Sequence, residues 1–279
     1  MFRLAVIQPL THRPPDDEKN VAEALDHIRN AASQGADVIA FPESYPGPWR
    51  MPAAFDPTEL IAEAAREHQV YVQFGTLEPI DSSERMAYSV LKLARPEGGE
   101  PGKYRRTHPP GPWIYAGGDW DFEYQAGDDY PVFATPHGTF GLAMCSEAYM
   151  PEVTRALALR GAECIFMPAG TDKRKLWSTW RNLIWARAIE NLAAVITTQN
   201  MFSSAEMGLA MVAMPEEIIF ESTRPGMFVL EIDLERLREM RSSEDRHGSS
   251  KEYGAKPGVL TQWQRPEMFD KLHPYHRPG

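Results

Sequence analysis

The chain has 279 residues, a formal net charge of -10, 43% hydrophobic residues and 24% charged residues. This acidic balance argues against nucleic-acid and membrane-surface partners, and no apolar run is long enough to cross a bilayer. Its two cysteines, Cys145 and Cys164, cannot build a disulfide framework, and residues 1–8 lack the apolar length of a signal peptide, so we expect a cytoplasmic protein.

The first third of the chain alternates strand and helix patterns. Residues 20–34 place apolar side chains at helical spacing, and residues 58–68 predict a second helix. A strand–helix–strand order implies a crossover connection and strands that are covered by helices. The predicted strands of this part are 3–8, 36–41, 70–76 and 87–94.

The pattern changes after residue 95. Glycine, proline and aromatic residues dominate from 96 to 129, which predicts a long loop of the kind that usually carries function. The tail from Arg241 is polar, so we expect it to pack on a neighbour or wrap the surface. The elements predicted between these two parts are strands at 131–135, 139–144, 164–170, 193–199, 209–213, 218–221 and 227–232, and helices at 176–191 and 234–240.

Cys145 ends a short apolar strand, and a helical pattern that opens at Pro151 and stops at Gly161 follows it. The cysteine is therefore predicted on a tight strand-to-helix turn, where a nucleophile projects from a sheet edge. The positive end of the following helix would favour its thiolate. The alternative is a small buried apolar cysteine, since free cysteines are among the most buried residues.

Three predicted strand ends carry polar residues out of an apolar pattern: Glu43, the basic run 103–108, and 145–147. Taken singly, each has a structural explanation, such as a surface acid or a solvated face. Together they offer an acid that takes a thiol proton, a cation that holds a developing oxyanion, and a thiol. That set is the minimum for acyl transfer through a thioester.

Several motifs occur in a specific order along the chain. They are Ala36 to Glu43, Lys103 to His108, Gly138 to Glu147, Arg160 to Glu163 running into Pro168, and Arg181 to Asn191. This order resembles the nitrilase superfamily of carbon–nitrogen hydrolases. The resemblance implies an α/β fold, a four-layer α-β-β-α sandwich in a single domain over 1–240, with a C-terminal extension over 241–279 as a candidate for the oligomer interface. It also implies a homodimer or higher even homo-oligomer, paired through the helix after the nucleophile and the helix near Trp180.

The resemblance also assigns catalytic roles. Glu43 becomes the general base, Cys145 the nucleophile, and the backbone N–H of Ser146 a donor to the oxyanion. The family's lysine position holds Arg106, which keeps the positive charge but does not lose its proton. Lys103, three residues earlier on a strand, is expected to point to the opposite face.

The family's second glutamate has no clean counterpart here. Counting back from Gly127 without a gap leads to Trp120, so the available acids are Asp119, Asp121 and Glu123. We favour Glu123, because it keeps the side-chain type.

Aromatic residues near the predicted site suggest a substrate pocket. We expect Tyr45, Trp49, Ser146 and Tyr149 to line it, and the stiff loop 109–118 either to shape it for an apolar or planar substrate or to act as a rigid lid. The eight histidines lack metal-ligand spacing and no glycine-rich loop precedes a helix, so no metal and no cofactor are expected. Trp177, Trp180 and Trp185 fit either an oligomer interface or the core.

These observations favour a hydrolase that cleaves a non-peptide C–N bond of a small amide or N-carbamoyl compound through a cysteine thioester. One alternative is a binding or regulatory protein that has lost hydrolysis, because of Arg106. Others are nitrile hydrolysis and acyl transfer by the same nucleophile.

Overall fold

The computed structural model describes residues 1–80, 85–109, 123–170, 176–244, 251–265 and 267–268. Within these ranges the chain forms two β-sheets that pack face to face, with helices on their outer faces. The strands are β1 (Phe2–Gln8), β2 (Val38–Ala40), β3 (Tyr71–Pro79), β4 (Met86–Ala94), β5 (Gly102–Arg105), β6 (Glu123–Tyr124), β7 (Val132–Thr135), β8 (Gly138–Leu142), β9 (Cys164–Phe166), β10 (Ala194–Thr197), β11 (Ala210–Ala213), β12 (Ile218–Ser222) and β13 (Gly226–Ile232). The helices are α1 (Lys19–Ser33), α2 (Thr58–His68), α3 (Pro151–Leu159), α4 (Trp177–Asn191) and α5 (Glu235–Ser242), with short 3-10 helices at Cys145–Tyr149 and Pro257–Leu260.

Three apolar cores separate four layers. Leu4 packs with Phe140 in the core between the sheets, where the first sheet has the order β13-β1-β2-β3-β4-β5 and the second β12-β11-β10-β9-β8-β7. Helices α1 and α2 cover the outer face of the first sheet, with Ile28 in that core, and α3 and α4 cover the second sheet through Leu157 and Ile184. The predicted α-β-β-α sandwich is therefore confirmed.

Strand β1 shows why its sequence is apolar without alternation. Leu4 and Val6 face the core between the sheets, whereas Ala5 and Ile7 face the core against the helices. All four side chains are fully buried. A strand that is covered on both faces needs apolar residues at every position.

Strand direction brings three segments to one edge of the sandwich. β1, β2 and β3 run parallel in the first sheet, and β8, β9 and β10 run parallel in the second. β5 runs antiparallel to β4, which is antiparallel to β3, so β5 points the same way as β2. The chain therefore leaves β2, β5 and β8 toward Glu43, Arg106 and Cys145 at a common edge.

The prediction of one long loop over 96–129 was wrong in part, because this stretch contains β5 and β6. In β5 the alternation is present but brief: Tyr104 is buried, whereas Lys103 and Arg105 both pair with Glu78 on the other face. A four-residue strand between glycines and prolines gives too short a pattern to be read.

The described C-terminal residues lie on the surface of their own chain, one of the two placements expected for the tail. Tyr253 and Leu260 pack against Leu192 and Met240 of the same chain. Trp180 fills the core under the second sheet at 1% exposure. The division of the chain at residue 240 stays a prediction.

Candidate active site

The site begins with a buried ion pair. Nη1 of Arg106 donates to Oε1 of Glu43 at 2.8 Å, and the two side chains are 0% and 7% exposed. Both residues come from the first sheet, directly after β2 and β5. A guanidinium stays protonated, so this pair keeps a fixed positive charge beside the carboxylate.

The same guanidinium reaches the second sheet. Its Nη2 donates to Oγ of Ser146 at 2.6 Å, and its Nε donates to the carbonyl of His108 at 3.2 Å. The backbone of Arg106 continues the strand pairing, since its N–H donates to Ser89 at 2.9 Å. Arg106 thereby connects Glu43 to the residue that follows the thiol.

Cys145 stands at the predicted turn between a strand and a helix. It is half-buried, its N–H donates to the carbonyl of Pro168 at 2.8 Å, and it opens a 3-10 helix that leads into α3. Its φ of 49° lies in the left-handed region that non-glycine residues rarely adopt. Such strain clusters at functional sites, where the surrounding structure holds it in place.

The loop that carries Glu43 has the same kind of bend. Ser44 adopts a φ of 52°. The side-chain amide of Asn200, which follows β10, donates to the carbonyl of Glu43 at 2.5 Å and so fixes the backbone of this loop to the second sheet. At Gly170 an added Cβ would come within 3.0 Å of Oε2 of Glu43, so the absence of a side chain there makes room for the carboxylate.

Glu147 is a residue of this site that the sequence did not assign. Its side chain is fully buried, and its carboxylate accepts hydrogen bonds from both sides of the sandwich. The only signal in the sequence was an acid two positions after the cysteine, on a turn between two apolar elements.

The proposed pocket residues lie in different places. Ser146 is half-buried beside Arg106, whereas Tyr45 is fully buried in the core against α1 and α2, stacked on Phe41. Burial raises the pKa of Tyr45, and its hydroxyl has no partner among the described residues. The geometry does not favour Tyr45 in substrate binding, and that role stays a prediction.

Trp49 and Tyr149 differ in their exposure to solvent. Trp49 is buried, with its ring edge-to-face on Phe202 at 5.0 Å, and Tyr149 is 46% exposed and contacts Trp180. Neither placement tests contact with a substrate, so both roles stay predictions.

The identity of the second catalytic acid also stays a prediction. Glu123 is exposed on β6, which pairs with the first residues of β4. Asp119, Asp121 and the loop 110–118 lie outside the described residues.

In the part of the chain that the structure describes, no group of three or more His, Cys, Asp or Glu side chains could hold a metal ion. No helix in the same part is long and apolar enough to span a membrane.

The arrangement supplies the parts for nucleophilic catalysis. The thiol of Cys145 lies at the start of a turn. The guanidinium of Arg106 binds both the carboxylate of Glu43 and the hydroxyl of Ser146, the residue after the thiol, and so places a permanent positive charge between them. A thiol, a base and a cation of this kind support attack on a carbonyl carbon and stabilisation of the oxyanion that forms.

The chain is similar to known proteins over most of its length. The family model described as "Carbon-nitrogen hydrolase" matches residues 3–242. The deaminated glutathione amidase of Synechocystis is 28% identical over 261 residues, covering 85% of this chain and 94% of the relative, and the human omega-amidase NIT2 is 26% identical, covering 86% and 91%.

Solved structures of an amidase from Nesterenkonia sp. AN1 share the fold. A glutamate mutant of it, with the acetamide moiety of fluoroacetamide covalently added at the active-site cysteine, is 21% identical with a TM-score of 0.75 and covers 97% of each chain. A cysteine-to-alanine mutant in complex with butyramide is 21% identical with a TM-score of 0.71, covering 85% of this chain and 93% of that one.

Proposed function

Because the chain belongs to the carbon–nitrogen hydrolase family, we propose that it hydrolyses a small amide or N-carbamoyl compound through a thioester on Cys145. The observation that carries this proposal is the hydrogen-bonded connection from Glu43 through Arg106 to Ser146, the residue next to the thiol. The relatives named as amidases, and the cysteine adduct of the Nesterenkonia amidase, support an amide as the substrate and a covalent intermediate.

The reaction takes place in two halves. Glu43 accepts the thiol proton, the sulfur of Cys145 bonds to the carbonyl carbon, and the C=O electrons move to the oxygen. The Ser146 N–H and the charge of Arg106 stabilise that oxyanion. As the C–N bond breaks, Glu43 returns the proton to the leaving nitrogen, which departs as ammonia or an amine.

Water completes the cycle. Glu43 removes a proton from the water as its oxygen attacks the thioester carbon. The C–S bond then breaks, the acid leaves, and Glu43 gives its proton to the sulfur, which restores the thiol. Nitrile hydrolysis and transfer of the acyl group to an amine use the same nucleophile, and addition of hydroxylamine separates transfer from hydrolysis by the product formed.

The decisive experiment compares the two cysteines. Ammonia release is measured from a panel of short amides, N-carbamoyl amino acids and nitriles, with the wild type, Cys145→Ala and Cys164→Ala. We expect Cys145→Ala to abolish turnover and Cys164→Ala, a buried position away from the turn, to keep it. Intact-mass analysis of the wild type should show an acyl adduct on Cys145, and a Cys145→Ala enzyme at full rate would end the proposal.

Arg106 motivates a second candidate function, a binding or regulatory protein that has lost hydrolysis. Its guanidinium cannot donate a proton as a lysine can, and it is committed to Glu43, Ser146 and the His108 carbonyl. An Arg106→Lys variant distinguishes the two. A large gain in turnover by Arg106→Lys, or no measurable turnover by either the wild type or Arg106→Lys on any compound of the panel, favours the second candidate.

The second acid is proposed to be Glu123, with Asp119 and Asp121 as the alternatives. Glu123→Gln, Asp119→Asn and Asp121→Asn each remove one negative charge at nearly constant volume. The variant that lowers kcat most identifies the acid, and an unchanged Glu123→Gln enzyme rejects our choice.

We also propose a homodimer or higher even homo-oligomer that pairs through α3 and α4, with the C-terminal residues near the interface. Leu159 and Ile189 are 52% and 38% exposed on these helices. Light scattering measures the molar mass of the wild type, of Ile189→Glu and of the control Ile219→Glu on β12. A lower mass for Ile189→Glu alone supports the proposal, and a monomeric wild type refutes it.

The cytoplasmic location stays a proposal based on the cysteine content.

A further inference from the structure

Glu147 holds one carboxylate between the two halves of the site. Its Oε1 accepts hydrogen bonds from the Tyr104 hydroxyl at 2.6 Å, the Thr107 hydroxyl at 2.9 Å, and the backbone N–H groups of Thr107 and His108 at 3.0 Å each. Its Oε2 accepts from the N–H of Met144 at 2.8 Å. These donors flank Arg106 on one side and immediately precede Cys145 on the other.

We propose that Glu147 is a positioning residue, which fixes the cysteine turn against the arginine segment so that Cys145, Glu43 and Arg106 act together. This role rests on the proposed function. Glu147 does not touch the reacting atoms; it acts through the backbone next to them.

The connection between the segments is reciprocal. Glu147, on the turn that follows β8, accepts from Tyr104, Thr107 and His108 at the end of β5. Arg106 of that segment donates to Ser146 on the turn. Two charged side chains thus cross the gap between the sheets in opposite directions. Relative sliding of the two segments would break both sets of hydrogen bonds.

The donor set uses both oxygens of the Glu147 side chain as acceptors. Burial and the neighbouring Glu147 carboxylate raise the pKa of Tyr104, so its hydroxyl remains a donor over the working pH range. A glutamine at this position has a single acceptor oxygen. Its NH2 group must face either Met144 or the four donors on the other side, so one of the two attachments is lost while the side-chain volume is kept.

Glu163 provides a matched control at the other end of β8. Its side chain accepts from the N–H of Thr139 at 3.0 Å and from Nε of Arg238 at 2.7 Å. Like Glu147, it joins a backbone group of the second sheet to a distant segment. It differs in its position: Glu163 directly precedes β9 and lies beside the first residues of β8, at the end of that strand away from Cys145.

The test measures Glu147→Gln, Glu147→Asp and Glu163→Gln at a temperature where circular dichroism shows each variant to be folded. For each enzyme, kcat and KM on the best amide are determined, and so is the second-order rate constant for alkylation of Cys145 by iodoacetamide. We expect Glu147→Gln to lower kcat about 100-fold, the effect of displacing a catalytic group by about 1 Å. KM should change less than threefold, and the alkylation rate should change at least tenfold.

The controls separate position from charge and from folding. Glu147→Asp keeps the charge but is too short to reach both sets of donors, so it should not restore kcat. Glu163→Gln should stay within threefold of the wild type in all three parameters. A folded Glu147→Gln enzyme with kcat and alkylation rate within threefold of the wild type overturns the proposal, as does an equal loss in Glu163→Gln.

A third variant keeps the proposal testable when Glu147→Gln does not fold. Thr107→Val removes one donor from Oε1 without touching the carboxylate, and we expect a loss in kcat of about fivefold; an unchanged enzyme would then overturn the proposal. The alkylation measurement needs no turnover. If the wild type hydrolyses nothing, the proposed function fails while the positioning role is still decided by the alkylation rates.

Discussion

Removing the Arg106 guanidinium tests how strongly the buried ion pair stabilises the fold. In Arg106→Met, Glu43 loses its partner at 2.8 Å and Ser146 loses its donor at 2.6 Å. Because the two charged side chains are 0% and 7% exposed, water replaces little of what is lost. Breaking one side of a buried pair costs about 3–5 kcal/mol. For a chain of this length, that corresponds to a fall in Tm of roughly 5–10 °C.

Differential scanning calorimetry at neutral pH measures this change, and the neighbouring Arg105 gives the control. Arg105 pairs with Glu78 on the other face of β5 with its side chain 36% exposed, so Arg105→Met should cost less than about 1 kcal/mol. In a double-mutant cycle, Arg106→Met and Glu43→Gln should couple by about 1–3 kcal/mol. If Arg106→Met melts within about 2 °C of Arg105→Met, loss of the guanidinium does not leave Glu43 as an uncompensated buried charge, and the reasoning is refuted.

Three further predictions follow from local geometry. In Gly75→Ala the new methyl would lie 2.3 Å from the backbone nitrogen of Ser44, so the loop that carries Glu43 must shift and kcat should fall at least tenfold. Burial raises the pKa of the Cys164 thiol to about 12, so maleimide at pH 7 should label one cysteine per folded chain and two in denaturant. Although burial alone would raise it, hydrogen bonds from Arg238 and the Thr139 backbone hold the pKa of Glu163 below its usual value. Its contribution to stability is therefore present above about pH 5 and lost as the pH falls through the depressed pKa, and Glu163→Gln should flatten that acid limb in denaturant titrations.

Each of these has a result that contradicts it. Gly254→Ala, whose added methyl meets only Glu216 at 3.8 Å, is the control for Gly75→Ala, and equal kcat values in the two variants would argue against the clash. Two labels on the folded chain would show that Cys164 is accessible. Parallel stability curves for the wild type and Glu163→Gln between pH 5 and pH 3 would remove the assigned role of that carboxylate.

The sequence indicated the segments that meet at this edge because polar residues directly follow two apolar stretches and a third segment is a basic run. Glu43 and Cys145 each end such a stretch, Arg106 lies in the basic run, and Pro151 and Gly161 bracket the helix beyond the cysteine. Parallel pairing directs β2 and β8 in the way that the predicted strand–helix–strand order implies. Arg106 reaches the same edge through β5, an antiparallel strand whose pattern was too brief to predict.

Two features could not be read in this way. Tyr45 lies two residues after Glu43, where the left-handed backbone at Ser44 turns the chain, and its ring packs in the core behind the sheet. The role of Glu147 depends on donors about 40 residues away. Neither a single unusual φ nor a contact over that distance leaves a periodic signal.

The two left-handed residues at the sheet edge have a consequence for engineering heat resistance. A non-glycine residue in this conformation carries a penalty of about 1–2 kcal/mol, and the protein has one at Ser44 and another at Cys145. A glycine at position 44 would release that penalty, offset in part by the freedom that glycine adds to the unfolded chain. Position 145 offers no such exchange, because a glycine there would remove the sulfur of the proposed nucleophile.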